Sequence, residues 1–126
     1  MSARAFPATL AAVEEAESWA EAECPALALD AFAVTLCLEE LFVNAVNHGG
    51  AARVRIALRP GGLEFCDDGA AFDPTRPTPK TLDGPSLDFQ IGGFGLGLVK
   101  KFARHVNYAR AGEWNVVTLA FAEGAR

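Results

Sequence analysis

Between Leu29 or Asp30 and His48 the sequence contains neither proline nor glycine, and Gly49-Gly50 then supplies a stop, so one long helix is predicted there. Most of it is apolar all round, which commits the fold to burying this helix among other elements. Glu40, Asn44, Asn47 and His48 nevertheless follow one another at steps of four, three and one, along a single stripe. Polar groups on a buried helix need partners. They are either a hydrogen-bonded helix edge of purely structural use or a site, because asparagine offers a neutral oxygen to Mg2+ and a glutamate one turn away can take up a proton. Glu39 is the neighbouring acid, but it points about 100° away on a 3.6-residue helix, so Glu40 is the candidate base.

Two later stretches bear on that choice. In Leu63-Glu-Phe-Cys-Asp-Asp-Gly-Ala-Ala-Phe-Asp-Pro74 a strand runs into an acidic, glycine-containing turn. In Ile91-Gly-Gly-Phe-Gly-Leu-Gly-Leu98 a glycine cluster opens a helix, where backbone N–H groups and the helix start suit a phosphate. The order Glu-x-x-x-Asn, Asp-x-Gly-x-x-Phe-Asp, Gly-Gly-Phe-Gly-Leu-Gly resembles the N, G1 and G2 boxes of the GHKL ATPases. Within that superfamily the chain is most similar to the anti-sigma factor serine kinases of the RsbW and SpoIIAB type, and the likeness runs over nearly the whole chain.

That resemblance implies a Bergerat-type ATP-binding fold, with ATP and Mg2+ as cofactors. Asn44 would ligate the metal and Glu40 would be the general base. Asp67 would accept the adenine amino hydrogen, which selects adenine because guanine offers an acceptor there. Gly69 would let base and backbone come close, Phe72 would belong to the nucleotide site, and Gly93, Gly95, Leu96 and Gly97 would hold phosphates. Asn47 and His48 either line the nucleotide pocket or cap the helix end. The implied partners are a STAS-type anti-anti-sigma protein and a sigma factor, with the kinase working as a homodimer. No dimerisation helix with a histidine precedes the N box, so a complete sensor histidine kinase is not expected; Ala71 stands where histidine kinases carry a second glycine, which makes a detached histidine-kinase catalytic domain the weaker reading. A module that binds ATP without phosphotransfer is the other alternative.

Composition sets the remaining bounds. With 126 residues, 51% of them hydrophobic, one domain over 1–126 with one core is expected. A net charge of −5 argues against sequence-independent nucleic-acid binding. No apolar run free of charge is long enough for a membrane span and no signal-peptide pattern opens the chain, so a cytoplasmic protein without membrane association is expected. Cys24, Cys37 and Cys66 read as buried thiols of a reducing compartment.

The other elements follow from local pattern. Ser2–Phe6 reads as an edge strand and Pro7 as the first turn of a helix to about Glu23. Arg53–Leu58 alternates as a half-buried strand, Pro60-Gly61-Gly62 turns it, and Leu63–Cys66 returns. The proline-rich stretch of about 74–92 sits where GHKL proteins carry the ATP lid; Arg76 and Lys80 there either reach phosphates or are solvated. A helix from Gly95 or Leu96 to about Arg104, with Lys100 and Lys101 facing solvent, precedes a hairpin of Val106–Ala109 and Val116–Phe121. The expected architecture is a two-layer α/β (α+β) sandwich, a mixed sheet with helices on one face.

Overall fold

The computed structural model describes residues 1–73, residue 75 and residues 96–121, the last range without the Leu96 side chain. The predicted lid, with Arg76 and Lys80, and the glycines Gly93 and Gly95 lie outside the described residues. The elements are β1 (Ser2–Pro7), α1 (Ala11–Glu23), a short 3₁₀ turn (Pro25–Leu27), α2 (Ala31–His48), β2 (Arg53–Arg59), β3 (Gly62–Asp67), α3 (Leu96–Phe102), β4 (Ala103–Ala111) and β5 (Trp114–Phe121). The strands form one sheet in the order β1-β2-β3-β5-β4.

The two-layer α+β architecture agrees with expectation, but the sheet is not mixed. Every strand pairing among the described residues is antiparallel. β3 and β4 do run in the same direction, yet the β4–β5 hairpin inserts β5 between them, so the crossover through α3 makes no parallel ladder.

α2 is the core's spine. Asp30 caps it: its Oδ1 accepts hydrogen bonds from the backbone N–H groups of Phe32 at 3.0 Å and Ala33 at 3.4 Å. Val34, Cys37, Leu38, Leu41, Phe42 and Ala45 form the buried stripe, at helical spacing. The helix is not enclosed all round, because Phe32, Glu39, Asn47 and His48 are exposed. Phe42 stands edge-on between Phe6 of β1 and Phe65 of β3, with ring centroids 6.4 and 5.9 Å away. Burying each such ring contributes roughly 1.5–3 kcal/mol. The sheet answers with Val54, Ile56, Leu58, Leu63, Phe65, Val117 and Leu119, all on the helix side, while Arg53, Arg55 and Arg59 alternate to the open side.

Several boundaries move for local reasons. Pro7 closes β1 opposite Arg53 rather than opening a helix, which an edge strand permits because proline's missing N–H is not needed for pairing. The first helix begins only at Ala11, with Thr9 Oγ1 accepting from the Ala12 N–H. α3 stops at Phe102, and β4 starts at Ala103 with a register shift before His105. The cysteines are unpaired; Cys24 and Cys37 are buried, but Cys66, on the open side of the sheet, is only half-buried. Burial pushes their thiols up to about 11, about 12 and about 11, which keeps all three protonated. No helix among the described residues is long and apolar enough to cross a membrane.

Candidate functional site

Alternation along β3 puts Leu63, Phe65 and Asp67 on the helix side and sends Asp68 to the other. The two adjacent carboxylates therefore have different work. Asp68 accepts from the backbone N–H groups of Ala52 and Arg53, both at 2.8 Å, and from Arg53 Nε at 2.9 Å. The Arg53 backbone N–H, ahead of its guanidinium, holds the Asp68 carboxyl down at about 2. This pins the end of β3 to the start of β2. Asp67, only 8% exposed, is left facing inward. Its Oδ1 accepts from the Gly69 N–H at 2.9 Å and from Asn115 Nδ2 at 3.1 Å.

Asn115 went unrecognised from sequence. It is 3% exposed and pairs with Asp67 across the β3–β5 ladder. Its Nδ2 also donates to the Ala70 carbonyl at 2.9 Å. Its Oδ1 accepts from the Phe72 N–H at 3.2 Å, the Tyr108 hydroxyl at 2.6 Å and Arg110 Nη1 at 3.2 Å. Arg110 ties the same turn down through Nη1 to the Gly69 carbonyl at 2.8 Å. A strand started at Val116 leaves Asn115 in a turn; started at Trp114, it puts a polar residue at the inward position of Asn115, Val117, Leu119, and that was the available signal.

Asn44 of α2 meets Asp67, Phe72 and Asn115 around a small cavity of about 20 Å³, partly open to solvent, whose apolar lining includes Leu41, Phe65 and Val117. Asn44 is 8% exposed and its Nδ2 has no hydrogen-bond partner among the described residues. One turn earlier, Glu40 is half-buried and its Oε1 is also buried without a partner among the described residues. Burial first, and the charge of Glu39 second, push the Glu40 carboxyl up to about 7. Glu40 is not among the residues lining the pocket; it lies beyond Asn44 along the helix. Glu17 of α1 has a buried Oε2 without a partner among the described residues. Its carboxyl is likewise raised to about 7, by burial and then by the charge and hydrogen bond of Glu39.

The remaining expected residues divide. His48 and Phe72 are exposed and stack on one another, centroids 6.2 Å apart and planes 26° off parallel, beside the pocket. Asn47 is exposed and away from the lining. Gly69 admits close approach, but of the protein's own backbone: a Cβ there would stand 2.5 Å from the Gly49 carbonyl oxygen. Gly97 is exposed in the first turn of α3, and a Cβ there would meet nothing within 4 Å among the described residues. Gly93, Gly95 and the Leu96 side chain are outside the described residues.

The sequence profile of the histidine kinase-like ATPase domain matches residues 4–121, which spans every element that builds the pocket. The chain belongs to the histidine kinase-like ATPase family. The GHKL resemblance carried by the three motifs therefore holds, and membership implies that this ATPase domain binds ATP. It is 37% identical over 96 residues, 70% of this chain and 68% of the relative, to the serine/threonine-protein kinase BtrW of Bordetella bronchiseptica. In fold it resembles the histidine kinase AdeS of Acinetobacter baumannii, with a TM-score of 0.50 at 15% identity over 98% of this chain and 68% of that one.

Proposed function

We propose that this ATPase domain is an ATP-dependent protein-serine kinase and anti-sigma regulator, which phosphorylates a STAS-type anti-anti-sigma partner and alternately holds a sigma factor. The observation that carries the reading is the pair Glu40 and Asn44. One turn apart on α2, each has a buried polar atom with no partner among the described residues, which is costly unless a ligand supplies one. The similarity to BtrW, itself named a serine/threonine-protein kinase, supports a hydroxyl acceptor. Three unpaired thiols suit action in the reducing cytoplasm, and a homodimer is the proposed working unit.

In this reading the nucleotide's base enters beside Asp67, whose carboxylate accepts the adenine amino hydrogen. Asn44 would hold Mg2+ through its amide oxygen, which a half-turn of the amide exchanges with the nitrogen. Among the described residues no three His, Cys, Asp or Glu side chains converge as a metal site, so phosphate oxygens and water would complete the shell. Bound Mg2+ would neutralise charge on the triphosphate. The partner's serine oxygen forms a bond to the γ-phosphorus as the bond to the β,γ-bridging oxygen breaks, and ADP leaves. Glu40 takes the serine proton, and a carboxyl raised to about 7 is matched to that task.

The test adds purified protein and γ-labelled Mg-ATP to lysate of its source organism, with Glu40→Gln as control. One small protein gaining acid-stable label from the wild type alone is the expected result, since phosphoserine survives acid and phosphohistidine does not. ATP binding with no labelled protein would replace the kinase reading with an ATP-gated binding module.

A further inference from the structure

The outer ridge of α2 is apolar where a solvated helix face is ordinarily polar. At about 100° per residue, Phe32, Leu36, Glu39 and Val43 fall within about 60° of one another, turned away from the buried stripe, and only Glu39 among them is polar. Phe32 is 65% exposed and Leu98, on the neighbouring α3, is 37% exposed. An edge-on contact with Phe102 of α3, centroids 5.9 Å apart, steadies the Phe32 ring but covers only part of it. Leu98 stands one turn before Phe102, so two helices place apolar side chains in one patch. A single exposed leucine or phenylalanine needs no explanation; a patch joined across two elements beside a candidate base does.

Glu40 lies on the shoulder of that ridge, about 40° round from Leu36 and about 12 Å along the axis from Phe32. Buried Cys37 and Leu41 close the sheet side of the helix at its level, and Asn44, facing the pocket, takes the nucleotide side. A serine that reaches Glu40 therefore comes in over the ridge. A specific protein interface covers about 800 Å² on each partner, a disc of roughly 16 Å radius, so a protein that delivers its serine to Glu40 also covers Phe32. We infer that Phe32 and Leu98 are the docking surface for the phosphoacceptor protein, which seats an apolar side chain there while its serine meets Glu40. Glu39 is exposed on the same ridge, so an acceptor with a basic group beside its apolar anchor fits it. The inference rests on the kinase reading. A contact this far from the reacting atoms is equally strong in ground and transition states, so it sets KM and leaves kcat alone.

The experiment purifies the protein labelled in the lysate and uses it as acceptor. Initial phosphorylation rates are measured against its concentration for the full chain as wild type, Phe32→Asp and Leu98→Ala, with ATP dissociation constants by calorimetry alongside. Phe32 lies in the first turn of α2, where an acidic side chain suits the helix N-terminus, so Phe32→Asp should keep the helix; if circular dichroism shows that it does not fold, Leu98→Ala decides. Each variant should bind ATP within about twofold of wild type and raise the acceptor's KM at least about tenfold, with kcat little changed. A folded variant with the wild-type KM, or one whose loss lies in ATP binding or in kcat, overturns the docking surface. A variant that changes the oligomeric state of the chain alone, by light scattering, assigns the patch to a second copy and overturns it likewise. Wild type that labels no protein overturns the kinase reading itself, and this surface with it.

Discussion

Gly69 and Gly49 meet backbone to backbone: a Cβ on Gly69 would lie 2.5 Å from the Gly49 carbonyl oxygen and 3.1 Å from the Ala51 nitrogen. The same oxygen accepts the Ala70 N–H at 3.0 Å. This contact joins the end of α2 to the turn after β3, and so sets the distance between Asn44 and Asp67. Gly69→Ala must force the two apart, at a cost of about 1–3 kcal/mol by overpacking. Urea denaturation should register that loss, and ATP affinity should fall by at least about tenfold because the pocket's two walls no longer keep their spacing. Unchanged stability would mean that the turn relaxes freely.

The rate of phosphotransfer should rise with pH through about 7, the value to which burial and Glu39 raise the Glu40 carboxyl. In the proposed reaction Glu40 would act as base only when ionised, so activity should be lost as pH falls below that value. Glu39→Gln removes the second cause and leaves burial, so the acid limb should move to lower pH without disappearing. Single-turnover rates between pH 5.5 and 8.5, roughly the range over which such a group titrates, check both statements. A limb that stays fixed in Glu39→Gln would exclude Glu39 as an influence on the base.

Much of the fold and of the site could be read from residues adjacent in sequence, and what could not be read was set by residues brought together across the sheet. α2 was legible because Asp30, the apolar stripe and Gly49 are local signals, and the placing of Asn44 and Asp67 around one pocket followed from motifs. The antiparallel sheet was not, since nothing local says that β5 slots between β3 and β4. Asn115 and Arg110 were missed for the same reason: their partners Asp67 and Gly69 lie 48 and 41 residues away. The nucleotide role of Gly69 was inferred from its motif, whereas its tight neighbour is Gly49. Glu17 read as part of a solvated acidic face, and only packing against α2 buries one of its oxygens.

That buried carboxyl gives the fold a pH dependence of unusual sign. Glu17 titrates near 4.5 when exposed and at about 7 in the folded chain. Between those values the native state holds more protons than the unfolded one, so stability falls as pH rises through the window and levels off above about 7. Glu40 contributes in the same sense and over the same window. Glu17→Gln should therefore be more stable than wild type at pH 8, little different at pH 4.5, and should flatten the profile without abolishing it. Urea midpoints across that range measure this, and a variant less stable than wild type at pH 8 would mean that the ionised Glu17 has a stabilising partner.

Asn44 separates stability from function most sharply. Its buried Nδ2 is without a partner among the described residues, so in the free protein the amide carries a desolvation cost of about 1–3 kcal/mol that no hydrogen bond among those residues offsets. Leucine has the same number of side-chain heavy atoms and removes that cost, and Leu41, Phe65 and Val117 line the same pocket. Asn44→Leu should thus raise the unfolding free energy by about 1 kcal/mol or more, while removing the Mg2+-dependent part of ATP binding. Thermal unfolding of the free protein and calorimetric titration of ATP with and without Mg2+ read the two effects separately. A variant that loses stability would reveal Asn44 as a structural residue, and one that keeps Mg2+-dependent binding would place the metal elsewhere. Gain in one measurement and loss in the other is the pattern of a residue kept for a ligand at the expense of the fold.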